Sequence, residues 1–330
     1  MNAFLDSSVT SRGTRTIGRE PAHRNRSEGV RQRLSVAIVN NMPDSALVAT
    51  ERQFSQLVND AAGGTADIKL FHIPGVPRGE QASGILAQRY LPFTHLFESH
   101  VDALIVTGNE PRAARLDEEP YWNDLTQLVD WAKESDCPSL WSCLAAHGAV
   151  LHLDGIERRR LPQKKSGVLA AAVNQPRRHG LPDALSVCHS RMNELRKDEL
   201  TAHGYGIVSE APGGNVDIFT KTYRAPFLFL QGHPEYDSDS LMREYRRDVG
   251  RYLNGLRDTY PEIPENYFDN ATVIAMENYR TLAERTRDIR LFESFPAIVL
   301  RNGLADRLAQ SASQIFRSWA ATIAELRLSA

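Results

Sequence analysis

Short apolar runs alternate with longer segments of helical period through the first half of the chain. Leu34-Ser-Val-Ala-Ile-Val39 is a β-branched run of strand length, stopped by Asn40-Asn41-Met42-Pro43. The next segment, Ala46 to Asp60, has helical spacing and closes at Gly63-Gly64. Ala66–Ile73 alternates as a second strand, and residues 74–100 read as loop with a short helix. Val101–Thr107 predicts a third strand ending at Gly108, and Tyr121–Glu134 a helix with Leu125, Leu128 and Trp131 on one face. Ser139-Leu-Trp-Ser142 predicts a short strand, and the small-residue run Leu144–Leu151 a buried helix. This β-α alternation is the pattern of a mostly parallel sheet with helices on both faces, a three-layer α/β fold.

From Gly167 the pattern changes. Gly167–Val173, Leu185–Cys188, Gly206–Glu210, Val216–Lys221 and Phe227–Gln231 read as strands whose connections are too short for helices, so antiparallel hairpins extend the sheet. An amphipathic helix is predicted from Ser238 to Leu253, and residues 270–330 read as helical with a break near Pro296. No Pro/Gly-rich linker divides the chain. The organisation expected is a tail over 1–33, an α/β domain over 34–269 and a helical extension over 270–330 packed on that domain.

Composition narrows the classes. The 330 residues carry a formal charge of −2, which disfavours a nucleic-acid binder driven by bulk positive charge. No stretch approaches the ~18 consecutive apolar residues of a membrane helix. Cys137, Cys143 and Cys188 cannot all pair, no CxxC or Cys/His cluster suggests a metal, and no apolar leader is visible. A reducing, cytoplasmic setting is the expectation. Residues 1–33 hold seven Arg against Asp6, Glu20 and Glu28. That composition suits a disordered tail; a transit peptide is the alternative, without a visible amphipathic period.

Ligands of open α/β sheets bind beyond the carboxyl ends of strands. Three such ends hold reactive residue types. Cys143 follows a strand and precedes Leu144-Ala-Ala-His-Gly148, the small neighbours that a nucleophile on a sharp strand-to-helix turn requires. The helix would present its positive N-terminal dipole to a thiolate, and the amide of Leu144 to a developing oxyanion. The alternative is a buried, inert thiol. His233 and Glu235 follow the apolar run Phe227–Gln231. His233 is placed as a general base, and Glu235, two residues on in extended chain, as the group that orients its ring. An exposed turn histidine is the alternative. Gly108 and Asn109 end the third strand, where a backbone amide could supply a second oxyanion donor.

Asn41-Met42-Pro43, Ile105-Val-Thr-Gly108, Tyr121-Trp122, Cys143, Lys165-Ser-Gly-Val168, His189-Ser-Arg191 and Gly232-His-Pro-Glu-Tyr-Asp237 stand in an order and spacing that resembles the homoserine O-succinyltransferase family. Glu244, Arg247 and Asp248 continue the pattern. The resemblance covers about residues 34–269 and resumes around Ile315–Trp319. It implies a flavodoxin-like fold akin to the class I glutamine amidotransferases. It also implies a ping-pong acyl transfer from acyl-CoA, as co-substrate, to the side-chain hydroxyl of L-homoserine in methionine biosynthesis, without a cofactor or metal, by a homodimer. Carried over by position, Cys143 is the acyl-accepting nucleophile, His233 the base and Glu235 its partner. Lys165, Ser190 and Arg247 hold substrate, with Arg247 on the α-carboxylate, where a planar bidentate donor fits. A surface ion pair between Glu244 and Arg247 is the bland alternative for those two.

Two departures stand out. The family has a lysine just after Met-Pro, whereas Asp44-Ser-Ala-Leu follows Met42-Pro43 here. Arg112 occupies the position that separates succinyl from acetyl donors, and its charge is expected to favour succinyl-CoA. Acetyl transfer to homoserine or serine on the same scaffold stays open, because one methylene changes binding by only ~1–3 kcal/mol. A glutaminase and a non-catalytic acyl-CoA-binding regulator are further alternatives. Leu144, Ala146 and His147 stand where a glutaminase elbow has Gly and Gln, and a regulator has no use for Cys143, His233 and Glu235 together.

Overall fold

Alternate burial of successive side chains builds the centre of the molecule. In the computed structural model, which describes residues 33–329, Val36 and Ile38 enter one apolar cluster while Ala37 and Val39 enter another. Ala103 and Ile105 divide from Leu104 and Val106 in the same way. A strand covered on both faces reads as a continuous apolar run, which is why these segments were legible as strands.

The elements in chain order are β1 (Leu34–Val39), α1 (Leu47–Ala61), β2 (Ala66–Phe71), α2 (Glu80–Arg89), α3 (Thr94–Glu98), β3 (Ala103–Val106), α4 (Trp122–Glu134), β4 (Ser139–Ser142), α5 (Leu144–Asp154) and β5 (Arg159–Val173), then α6 (Pro176–His179), β6 (Ala184–Glu194), α7 (Lys197–Ala202), β7 (Gly206–Ala211), β8 (Asn215–Thr222), β9 (Pro226–Leu230), α8 (Ser240–Leu253), α9 (Asn270–Thr286) and α10 (Leu304–Ser329). Among the described residues the strands form one sheet of nine, ordered β2-β1-β3-β4-β9-β8-β7-β5-β6. The run β2-β1-β3-β4-β9 is parallel; β8, β7, β5 and β6 join by antiparallel pairing. This is the α/β architecture that the alternation predicts. The tail expected over 1–33 lies almost wholly outside the described residues.

Helices α4 and α5 cover one face through Leu125, Leu128, Val129, Ala146, Ala149 and Val150. The other face is closed by α1 with Phe54 and Val58, and by α10 with Ile315, Phe316, Trp319 and Ile323. The C-terminal helix is therefore a wall of the main core, and Ser311 Oγ accepts a hydrogen bond from the Ser186 amide at 2.9 Å. A third cluster packs α8 on α9 through Leu241, Tyr245, Val249, Tyr267, Met276 and Tyr279.

Two strands are longer than the apolar pattern predicts. β5 begins at Arg159 rather than Gly167, and β6 runs through Glu194 rather than stopping at Cys188. Their extra residues, Arg-Arg-Leu-Pro-Gln-Lys-Lys-Ser and His-Ser-Arg-Met-Asn-Glu, are mostly polar and show no alternation of apolar residues. They pair with each other across an irregularity between Arg160 and Lys165. This polar ladder projects past the core and forms part of the cavity described next.

The packing of α10 yields a stability prediction. Phe316, fully buried, should cost about 3–5 kcal/mol on replacement by alanine. Leu328→Ala, at a position 89% exposed on the same helix, should stay within about 0.5 kcal/mol. Equilibrium urea unfolding checks both; equal, small effects would mean that α10 is not part of the cooperative core.

Candidate active site

β4 and β9 are parallel neighbours with Ser142 opposite Leu230, so both strands end level. The residues just beyond each end are thereby brought together. At Cys143 the chain turns into α5 with φ +53° and ψ −115°, a backbone conformation that a non-glycine residue adopts only when its surroundings impose it. The Cys143 amide is held by the carbonyl of Leu230 at 2.7 Å, and the helix begins at the next residue. Cys143 is partly exposed, unlike Cys137 and Cys188, which are buried. Burial pushes the Cys137 thiol up to about 12 and raises that of Cys188 as well.

His233 lies three residues beyond Leu230. Its amide donates to the Cys188 carbonyl at 2.7 Å, which fixes the turn against β6. Gly232 permits this approach: a Cβ there would stand 2.6 Å from Asp217 Oδ1 and from Val187 Cγ1. The His233 Nδ1–H donates to Glu235 Oε1 at 2.7 Å, and both side chains are buried. Burial by itself would lower the affinity of this imidazole for a proton. The Glu235 carboxylate and the charge and hydrogen bond of Cys143 more than offset that, and hold His233 well above the usual histidine value. The Tyr236 ring stacks on the imidazole at 4.3 Å. Its hydroxyl donates to Glu244 at 2.6 Å, so the ring is braced from α8.

Gly108 meets the elbow from β3. A Cβ at Gly108 would lie 2.8 Å from the Leu144 nitrogen, so a side chain there would crowd the amide placed to receive an oxyanion. A cavity of about 630 Å³ opens above these residues; Met42, Gly108, Asn109, Cys143, Leu144 and His233 are among those lining it. Leu144 and Asn109 thus both border the cavity.

Ser190, Arg247 and Glu244 also line the cavity. Glu244 accepts from Ser190 Oγ and Tyr236, and Lys164 approaches it at 3.4 Å. Burial would raise its carboxyl, but Lys164, Ser190 and Tyr236 hold it below the usual range. Arg247 donates to Asp248 Oδ1 at 3.1 Å, so in place of the alternative surface pair with Glu244 there is a network around Asp248. Lys164 and Arg257 also reach Asp248, at 3.4 and 3.3 Å.

Two of the expected substrate-binding residues are not among those lining the cavity. Lys165 does not line the cavity; Lys164 does. Lys165 instead meets Asn215 and, at 3.8 Å, Glu194, while Lys164 reaches Glu244 and Asp248, each at 3.4 Å. Arg112 is also absent from the lining, although Ala113, Ala114 and Arg115 of its loop are present. Its amide is fixed by Glu119 Oε1 at 2.7 Å and the residue is exposed. Sequence reasoning also missed Arg158, Arg160 and Arg191 as cavity residues. The first two sit in a run of three arginines that resembles a solvated surface segment; Arg191 belonged to a recognised motif but had no assigned task. His147 is buried beside them. Burial, with Arg191 and Arg158 nearby, pulls it down to about 3, so it is a neutral hydrogen-bonding group rather than a base.

A cysteine on a strained strand–helix turn, a histidine beside it and a glutamate orienting the histidine, on a three-layer α/β fold, are the groups that nucleophilic acyl transfer requires. The sequence model of the homoserine O-succinyltransferase family matches residues 14–322. Homoserine O-succinyltransferase of Rhodopseudomonas palustris is 46% identical over 294 residues, 88% of each chain. That of Methylorubrum extorquens (strain DSM 6343 / CIP 106787 / DM4) is 45% identical over 300 residues, 90% of this chain and 89% of the relative. A glutamine amidotransferase structure from Methylobacillus flagellatus shares the fold at 12% identity, with a TM-score of 0.51 over 88% of this chain and 94% of that one. The chain belongs to the homoserine O-succinyltransferase family, and it is a transferase.

The exposure of the three thiols gives a direct check. Brief treatment of the native protein with iodoacetamide should label Cys143 alone, and Glu235→Gln should slow that labelling by weakening the proton affinity of His233. Peptide mass spectrometry reads the sites; comparable labelling of Cys137 or Cys188 would contradict the assignment.

Proposed function

We propose that the protein transfers a succinyl group from succinyl-CoA to the side-chain hydroxyl of L-homoserine, through a thioester on Cys143, in methionine biosynthesis. The observation that carries this reading is the Cys143 elbow beside the His233–Glu235 pair, in a chain of this family. The family resemblance also supports a homodimer, and the free thiols suit a cytoplasmic setting.

In the first half-reaction the Cys143 thiolate attacks the thioester carbonyl carbon. The oxyanion is received by the amide of Leu144, which as a first-turn amide has no intrahelical acceptor, and by the amides at Gly108–Asn109. The intermediate collapses, the bond to the CoA sulfur breaks, and protonated His233 delivers its proton to that sulfur. In the second half-reaction neutral His233 takes the proton of the homoserine hydroxyl, whose oxygen attacks the acyl carbon. Cys143 leaves as thiolate and the ion pair with His233 is restored. Splitting the transfer in two lets one nucleophile and one base serve both steps.

The arrangement of Lys164, Ser190, Glu244 and Arg247 on one wall suits an amino acid: Glu244 for the ammonium group and Arg247 for the α-carboxylate. Arg158 supplies positive charge toward Cys143 from the cavity wall, although no lysine follows Met42-Pro43.

Mixed with succinyl-CoA and no acceptor, the wild type should gain one succinyl mass on Cys143, and Cys143→Ala none. Intact-mass spectrometry decides, and acylation elsewhere would overturn the mechanism. Because Arg112 faces solvent, Arg112→Ala should leave the ratio of kcat/KM for succinyl-CoA and acetyl-CoA within about twofold, where a charge-assisted contact would have moved it by tenfold or more.

The second half-reaction gives a signed pH effect. In the acyl-enzyme the base must be neutral, so deacylation rises with pH as His233 loses its proton. Glu235 raises the proton affinity of His233; removing its charge lowers it. In single-turnover deacylation, Glu235→Gln should shift the acidic limb to lower pH and reduce the plateau by about 10²–10⁴-fold through loss of ring orientation. An unmoved limb with an unchanged plateau would remove Glu235 from the mechanism.

A further inference from the structure

Arg191 follows Ser190 on β6 and lines the cavity beside the elbow. Its side chain is only 2% exposed. Among the described residues, none of its three guanidinium nitrogens has a hydrogen-bond partner. A guanidinium presents five N–H donors in a rigid plane, and leaving them unmet away from water is costly.

The neighbouring charges do not meet that need. Glu194 stands 4.0 Å from Arg191 Nη2, beyond hydrogen-bond reach, and Lys165 shares the same carboxylate at 3.8 Å. Lys165 lies directly opposite Arg191 across the β5–β6 ladder, so two cations flank one anion. Asp217 is within electrostatic reach, but no hydrogen bond joins it to Arg191: its Oδ2 accepts from Ser209 at 3.0 Å, and its buried Oδ1, 3.3 Å from His189 Nε2, has no hydrogen-bond partner among the described residues. His147, also close, is uncharged. Arg247 differs in kind: it is 41% exposed and already donates to Asp248.

A buried planar cation with unpaired donors, in the wall of a cavity that holds a nucleophile, is complementary to a carboxylate bound through two parallel hydrogen bonds. We propose that Arg191 is a substrate-carboxylate receiver, taking one end of a substrate while its other end reacts at Cys143. The proposal rests on the acyl-transfer reading above. Two carboxylates meet its chemistry: the distal one of the succinyl group, and the α-carboxylate of the acceptor, which Arg191 would then hold together with Arg247.

The test uses full-length Arg191→Lys, which keeps the charge but loses the fork, and Arg191→Gln. Thermal unfolding first establishes that each is folded. Steady-state kinetics then yield kcat/KM for succinyl-CoA and acetyl-CoA, and the KM for homoserine. If Arg191 reads the acyl group, the succinyl/acetyl ratio should fall about tenfold or more in both variants, with the KM for homoserine little changed. If it reads the acceptor, the KM for homoserine should rise by a similar factor and the donor ratio should hold. Folded variants that keep both quantities overturn the proposal while the acyl-transfer reading stands. Should neither variant fold, wild-type protein that accepts the neutral isosteres succinamoyl-CoA and L-homoserinamide as readily as the charged substrates overturns it equally. Wild type that transfers no acyl group from either donor overturns the acyl-transfer reading, and the proposal with it.

Discussion

The site depends on one pairing, that of β4 with β9. Because Ser142 lies opposite Leu230, the elbow at Cys143 and the turn at His233 leave the sheet at the same level. The hydrogen bond from the Cys143 amide to Leu230 then ties the elbow to the neighbouring strand end. A one-residue slip would send every side chain of β9 to the opposite face, so the buried Phe227, Phe229 and Leu230 specify the register as firmly as the chemistry needs it. Packing energy spread over the core thus sets a distance between two reactive groups. The unfavourable backbone at Cys143 persists because the structure around it is over-determined.

Charge is organised in layers around that point. Nearest is the His233–Glu235 pair, buried and mutually hydrogen bonded. Beyond it, Glu244 and Asp248 are held ionised by Lys164, and Asp248 also by Arg247 and Arg257. Arg191 and Arg158 also line the cavity and act electrostatically on Cys143, and the Arg191 guanidinium has no hydrogen-bond partner among the described residues. The Glu244–Asp248 set is a network of paired charges, suited to holding a zwitterion. Arg191 carries positive charge without a close partner, suited to an anionic group. A substrate pair that brings both kinds of group fits this division.

Much of this was legible in the sequence, for identifiable reasons. β1, β3 and β9 are apolar on both faces, so they read as runs; His233 follows such a run and Cys143 a short strand, and strand ends are where α/β folds place chemistry. What escaped lies where the apolar signal vanishes. The extensions of β5 and β6 are polar where they line the cavity, and carry no apolar alternation that would mark them as strand. Choosing between Lys164 and Lys165 needs the register of β5, and the irregularity after Arg160 hides it from any count along the chain. Arg112 could be placed by position but not by direction: its loop is turned by the two amides, Arg112 and Ala113, that bind Glu119. The role of α10 as a wall of the main core required the tertiary structure, since an amphipathic helix does not name the surface it covers.

The central claim is that the β4–β9 register makes Cys143, His233 and Glu235 one electrostatic unit. An NMR pH titration of the His233 imidazole tests it most directly. The account predicts an apparent value above the ~6.5 of an ordinary histidine in the free wild-type protein, and a fall when Cys143 is replaced by alanine, because the thiolate contributes to the shift. A value at or below that of an ordinary histidine, or one that Cys143→Ala leaves unmoved, would contradict it.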